Sequence, residues 1–310
     1  MIDNGNFVHP ALFYRSDQEY LDCLVPFVTD GLAVGEPVAV AVPGPRLDVL
    51  REGLGAAAER ITLLDMTREG RNPGRIIPRV LRRFADAHRD RHVRIIGEPI
   101  WAARSDTEYP ACAQHEALIN MAFAGRDVTI VCPYDMSTLS AEALDDAVET
   151  HPLIWDSERR YDSDRYAPEA VIARYNRPLA DTGPDDAVLR VGTPADLPAA
   201  RRFGSDRARV LGLAEERVAD LELIVTELVA NSLRHAGGPS RLGVWRENGH
   251  LVCEVRDTGE LTDPLVGRRP AEPGQTSGYG LLLVNDLADL VRVHTGPGGT
   301  TVRVLFTTGD

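Results

Sequence analysis

The chain has 310 residues, more than a single hydrophobic core usually serves, so two domains are expected. Its composition, 43% hydrophobic and 26% charged with 27 glycines and 21 prolines, excludes the disordered, collagenous and disulfide-scaffold classes. Forty-seven acids against 34 bases give a net charge of −13, which repels polyanions, so no direct nucleic-acid partner is expected. No stretch reaches the ~18 apolar residues of a membrane span, and Met1-Ile2-Asp3-Asn4-Gly5-Asn6 is not a basic-then-apolar leader, so no membrane association and a cytoplasmic location are expected.

All 34 basic residues are arginine. Without lysine there is no Walker-A loop, no strand lysine of a eukaryotic-type protein kinase and no Schiff-base amine. The four cysteines, Cys23, Cys112, Cys132 and Cys253, form no C-x-x-C pair and no Cys/His cluster at zinc spacing, so buried reduced thiols and no structural zinc are expected.

From the N-terminus, Ser16 with Glu19 has capping-box spacing and opens an amphipathic helix that ends at Gly35. Apolar runs at 37–42, 61–64, 93–96 and 128–131 alternate with helical patterns at 45–55, 74–89 and 110–124. Strands without polar alternation are buried on both faces, which predicts a parallel sheet covered by helices. Residues 156–195 are rich in Pro, Gly and Asp and read as a linker, with one short helix at 168–176. The remainder predicts strand 187–191, helices 196–211 and 215–235, hairpin strands 241–246 and 250–256, a loop, helix 280–289 and strands 290–295 and 300–306. That order predicts an α+β domain.

Four motifs in this second half carry chemistry. Glu227, Asn231 and His235 stand at i, i+4 and i+8 on the long helix and share one slowly drifting face, where a carboxylate and an amide one turn apart suit a general base beside a Mg²⁺ ligand. Asp257-Thr258-Gly259 ends a strand, and the glycine lets backbone approach a flat ligand while the acid accepts a hydrogen bond from an exocyclic amine. Gly278-Tyr279-Gly280 feeds a helix N-terminus, a natural phosphate site, and Gly298-Gly299-Thr300-Thr301 brings a hydroxyl to the start of the last strand.

In this order the four motifs resemble the GHKL ATP-binding fold, an α/β sandwich, over residues 196–307. The resemblance implies ATP and Mg²⁺ as cofactors, Glu227 as the base, Asn231 as the Mg²⁺ ligand and Asp257 as the reader of the adenine amine. It also places Gly259, Gly278, Gly280 and Thr300 in the ATP site, under a lid at 260–279. Histidine kinases carry an upstream acceptor helix pair, which is missing before residue 196. The compact domain therefore looks more like the RsbW-type anti-sigma factors. That resemblance implies a GHKL-type protein serine kinase that sequesters a sigma factor and phosphorylates a serine of a STAS-type anti-anti-sigma antagonist. The alternatives are a partner-switch module that works by ATP occupancy without phosphotransfer and an orphan histidine kinase. One departure is Leu261, where a second glycine is common after Asp257-Thr258-Gly259-Glu260.

Residues 8–155 resemble the MEDS sensory module, a KaiC/RecA-related parallel-sheet fold, on His9-Pro10-Ala11-Leu12-Phe13-Tyr14, Gly31 to Glu36, Gly97-Glu98-Pro99-Ile100-Trp101, Glu116 to Asn120 and Cys132-Pro133-Tyr134-Asp135. This implies a small organic ligand, with Gly31 to Glu36 at the phosphate-loop position and no ATP hydrolysis there. Glu98, Glu116 and Asp135 lie near strand ends, where α/β sheets bind ligands, or are solvated acids. His9 and His115 are switch candidates or surface histidines. The expected organisation is a sensory domain at 8–155, a linker at 156–195 and an ATP-binding domain at 196–310.

Overall fold

In the computed structural model, residues 6–181, 183, 187–270 and 278–308 are described. The chain divides into two compact units, Met1–Tyr175 and Asn176–Asp310.

The first unit runs β1 (Pro10–Tyr14), α1 (Asp17–Ala33), β2 (Val38–Val42), α2 (Gly44–Leu54), β3 (Thr62–Asp65), α3 (Met66–Glu69), α4 (Pro73–Arg75), α5 (Arg82–Asp86), β4 (Val93–Gly97), α6 (Tyr109–Ala122), β5 (Val128–Asp135), α7 (Ala141–Thr150), β6 (Leu153–Trp155), β7 (Arg160–Asp162) and α8 (Pro168–Tyr175). Its seven strands are ordered β3-β2-β4-β5-β1-β6-β7. All pair in parallel except β7, which is antiparallel to β6. Every residue of β1 and β2 is buried, as unalternating strands require when helices cover both faces. α1 starts as the capping spacing predicts, with Ser16 Oγ accepting from the Glu19 amide at 3.2 Å, but the Glu19 carboxylate reaches past Ser16 to the Arg15 amide at 2.7 Å.

Two expectations are corrected here. The helix expected over 74–89 is broken into α4, a π-helical segment Ile76–Leu81 and α5, and Pro78, which has no N–H to donate, sits inside the widened turn. Gly31 to Glu36 is no phosphate loop. It forms the last turn of α1 and the exit into β2, where a helix end presents carbonyls rather than N–H groups, and Arg94 bonds Glu36 at 2.5 Å and the Phe27 carbonyl at 2.8 Å. The segment that follows the first strand is Arg15-Ser16.

The second unit runs β8 (Ala187–Val191), a 3₁₀ turn at Pro194–Asp196, α9 (Leu197–Val210), α10 (Glu215–His235), β9 (Ser240–Glu247), β10 (His250–Asp257), α11 (Gly280–Leu287), β11 (Leu290–Gly296) and β12 (Gly299–Thr307). The sheet order is β11-β12-β10-β9-β8, antiparallel throughout. The helices bury Val218, Leu221, Ile224, Val225, Leu228 and Val229 of α10 against Leu242, Val244, Leu251, Cys253 and Val304 of the sheet. On the alternate positions Glu254 faces Arg303, paired at 2.6 Å, and the Arg303 guanidinium lies 5.2 Å from the Trp245 ring centre. The chain is therefore mixed α/β, with a mostly parallel sheet in its first unit and an antiparallel sheet with packed helices in its second.

The stretch 156–195 holds more order than its composition conveys. The strand expected at 187–191 and the short helix expected at 168–176 form as β8 and α8, with Tyr175 of α8 bonded to Asp146 of α7, while β7, which no pattern signals, adds an edge to the first sheet. Backbone pairing of this kind leaves little trace in side-chain chemistry.

Candidate functional site

In the second unit a cleft of about 580 Å³ is lined by Asn231, Asp257, Gly259, Gly278, Gly280 and Thr300, which come from α10, the end of β10, the start of α11 and the start of β12. The size suits a nucleotide-scale ligand. Glu227 does not line the cleft itself but borders it through Gly280, because a Cβ built on Gly280 would lie 2.5 Å from Glu227 Oε2 and 3.0 Å from Asn231 Nδ2. The seven residues thus gather around one space. His235 also reaches the cleft, with Arg234 beside it, so α10 contributes basic groups near its C-terminal end.

Local bonding fixes the turn after β10. Asp257 Oδ1 accepts the Gly259 amide at 2.8 Å, and Thr258 Oγ1 donates to the Ala236 carbonyl at 3.1 Å, tying the turn to the end of α10. Asp257 stands opposite Thr300 in the β10–β12 register, and Thr300 Oγ1 donates to the Gly259 carbonyl at 2.8 Å. Gly299 takes a positive φ of 112°, and a Cβ there would fall 1.9 Å from the Asp257 carbonyl oxygen, so the strands approach this closely only with glycine.

Thr295 belongs to none of the four sequence motifs. Its hydroxyl lies 2.9 Å from that of Thr300 and accepts the Leu261 amide at 2.8 Å, so the position that departs from a double-glycine turn is pinned to β11. The two threonines face each other across the β11–β12 hairpin, a pairing that the Gly296-Pro297-Gly298-Gly299 turn could have signalled. Within the expected lid, residues 271–277 lie outside the described residues; Gly267, at φ 70°, packs its Cα against Leu281 and is held by Asn285 Nδ2 donating to its carbonyl at 3.0 Å.

In the first unit, Asp135 and Glu98 lie at the carboxyl ends of the parallel strands. Arg46 bridges Asp17 at 2.5 Å and Asp135 at 2.9 Å, and its guanidinium lies 5.1 and 5.3 Å from the Tyr14 and Tyr20 ring centres. The Tyr20 hydroxyl donates to Glu98 at 3.4 Å. Burial pushes the Glu98 carboxyl up to about 8. His115 and Glu116 are buried in α6, not in a solvated loop. Glu116 meets His9, Cys132 and His151 in the interior, and burial followed by the neighbouring His151 pushes His9 down to about 4. Trp101 stacks under Arg104, whose guanidinium is 3.9 Å from the indole ring centre. Among the described residues no helix is long and apolar enough to cross a membrane.

Residues 8–152 match the family model for the methanogen/methylotroph, DcmR sensory domain, MEDS, and residues 191–306 match that for the histidine kinase-like ATPase domain. A serine-protein kinase RsbW from Oceanobacillus iheyensis is 27% identical over 119 residues, which cover 34% of this chain and 75% of that protein. Among solved structures, the RsbU and RsbW domains of Rv1364c from Mycobacterium tuberculosis are 18% identical with a TM-score of 0.30, covering 39% of this chain and 32% of that one. The SiaB-SiaC complex from Pseudomonas aeruginosa is 12% identical with a TM-score of 0.30, covering 38% and 88%. This chain thus spans about a third of the Rv1364c chain that it resembles. It joins a stretch that matches the MEDS sensory-domain model to one that matches the histidine kinase-like ATPase-domain model, and it is similar to the serine-protein kinase RsbW.

Proposed function

We propose that the second unit binds ATP with Mg²⁺, holds a sigma factor, and transfers the γ-phosphoryl group to a serine of a STAS-type anti-anti-sigma protein, while the first unit modulates that balance, through a small organic ligand in the simplest form. The carrying observation is the gathering of Glu227, Asn231, Asp257, Gly259, Gly280 and Thr300 around one cleft. Similarity to RsbW supports the choice of serine as acceptor.

The Asn231 side-chain amide offers the oxygen chemistry that Mg²⁺ selects, one helical turn from the Glu227 carboxylate that would serve as the base. When bound, Mg²⁺ would neutralise charge on the triphosphate. Asp257 accepts from the adenine amine, and the Gly278–Gly280 turn lets phosphate approach the first amides of α11. Glu227 takes the proton of the attacking serine hydroxyl as its oxygen bonds to the γ-phosphorus and the bond to the β–γ bridging oxygen breaks, releasing ADP.

A second reading, nucleotide occupancy without transfer, is favoured by one feature: the base of the 260–270 loop is pinned through Leu261 and Thr295 rather than freed by a second glycine. Incubating the full chain with γ-³²P-ATP and candidate antagonist domains decides between the two. Acid-stable label on an antagonist serine supports the kinase. Nucleotide-dependent sigma-factor capture without label supports occupancy alone, and acid-labile label on the chain itself indicates a histidine kinase.

A further inference from the structure

Away from the nucleotide cleft, the first unit brings together His9 just before β1, Glu116 of α6, Cys132 of β5 and His151 at the C-cap of α7. None is more than 1% exposed, and one donor atom from each lies within 4.8 Å of all the others. Second-layer bonds orient both imidazoles. His151 Nδ1 meets the Ala147 carbonyl at 2.8 Å, and a carbonyl only accepts, so Nδ1 carries the proton and Nε2 presents a lone pair. Asn120 Nδ2 donates to the Thr150 carbonyl at 2.8 Å, which turns Asn120 Oδ1 toward His9 Nδ1 at 3.0 Å and leaves His9 Nε2 as a second lone pair.

Both lone pairs face the same carboxylate. His151 Nε2 is 3.2 Å and His9 Nε2 3.5 Å from Glu116 Oε2, while Cys132 Sγ is 3.5 Å from His9 Nε2. The Cys132 thiol can offer its proton to His9. Both Glu116 oxygens and His151 Nε2 are nevertheless buried with no hydrogen-bond partner outside this cluster. An arrangement of acceptors facing acceptors is costly unless something positive joins them. Three of the donor–donor distances are 3.2–3.5 Å and all lie within 4.8 Å, spacings that a small metal ion would bridge. Around a four-coordinate zinc ion with bonds of about 2.0–2.3 Å, neighbouring donors sit roughly 3.3–3.7 Å apart, longer than the ~2.9 Å of a hydrogen bond.

We propose that His9 Nε2, Glu116, Cys132 Sγ and His151 Nε2 form a transition-metal site in the first unit, with Zn²⁺ as the ion that fits best. Binding releases the Cys132 proton to solvent, and thiolate plus carboxylate then balance one divalent charge in the interior. The His151–Ala147 and His9–Asn120 bonds are the outer contacts that fix ligand tautomers in metal centres. Four protein ligands close the coordination sphere, so the ion acts on structure or regulation and not as a hydrolytic centre. The proposal departs from the expectation of no structural zinc, which rests on spacing along the chain, because the four proposed ligands come from four separate elements.

The test uses the full-length chain, stripped with a chelator and titrated with Co²⁺ and then Zn²⁺. The expected result is one equivalent of Co²⁺ with an intense near-ultraviolet sulfur-to-cobalt band, displacement by Zn²⁺, and a higher melting temperature than the stripped chain. An oxygen-only site at Asn231 cannot give that band. Cys132→Ala should abolish it and Glu116→Gln should weaken metal binding at least ~10-fold, whereas Cys23→Ser, on α1, should change neither. Circular dichroism checks each variant. If the variants do not fold, X-ray absorption of the zinc-loaded wild type should show one sulfur among nitrogen and oxygen neighbours. No stoichiometric metal, a sulfur-free ion, or a thiolate band that survives in folded Cys132→Ala would overturn the proposal.

Discussion

Gly280 and Glu227 meet where α11 starts against α10, with only 2.5 Å between Glu227 Oε2 and the place a Cβ on residue 280 would occupy. The hydrogen side chain at 280 lets the first turn of α11 rest on the helix that carries the proposed base and metal ligand. Gly280→Ala should push Glu227 and Asn231 out of register and lower ATP affinity at least ~10-fold, while overpacking costs roughly 1–3 kcal/mol of stability. Calorimetric ATP titration together with thermal melting checks both effects.

Asp257 carries two demands on one carboxylate, the Gly259 amide and, in the proposed complex, the adenine amine. Asp257→Asn can keep the first bond through its amide oxygen but offers the adenine a donor where an acceptor is needed. Calorimetry should show at least ~10-fold weaker ATP binding with an unchanged melting temperature. Equal affinity would remove Asp257 from the site.

The first unit should bind no Mg·ATP. The sequence contains no lysine, and the segment after β1 is Arg15-Ser16 rather than a glycine-rich loop. In the full chain, Asn231→Ala combined with Asp257→Ala should therefore leave no residual ATP binding. Saturable binding in that double variant would locate a second nucleotide site in the first unit.

Where side-chain pattern decides structure, the sequence is informative. The apolar spacing of Leu221, Ile224, Val225 and Leu228 marks the buried face of α10, and the offsets from Glu227 to Asn231 mark the face toward the cleft. Ser16 marks the start of α1. Where backbone pairing or long-range convergence decides, it is not. β1 has five residues and no alternation, and β7 lies inside a Pro/Asp-rich stretch. Thr295 acquires a role only through its hairpin register with Thr300. His9, Glu116, Cys132 and His151 have no spacing in common, so their convergence appears only in three dimensions.

Glu98 should give the first unit a pH dependence whose sign follows from its burial. Its folded pKa, about 8, lies above the ordinary 4.5 because burial disfavours the anion, while Arg46 and Tyr20 oppose the rise and Asp135 adds to it. Between those values the folded state holds a proton that the unfolded state has lost, so stability falls as pH rises from about 4.5 toward 8. Glu98→Gln removes this titration. The variant should gain on the wild type across that window, by roughly 2–4 kcal/mol at its upper end, as read by denaturant unfolding at a series of pH values.

In the proposed kinase, Glu227 performs proton transfer while Asn231 holds the nucleotide. Single-turnover phosphorylation of a cognate antagonist serine, measured beside ATP affinity for wild type, Glu227→Gln and Asn231→Ala, separates the two. Glu227→Gln should bind ATP with near wild-type affinity and transfer phosphate ~10²–10⁴-fold more slowly, while Asn231→Ala should lose both. A Glu227→Gln protein that phosphorylates the antagonist at the wild-type rate would contradict this assignment.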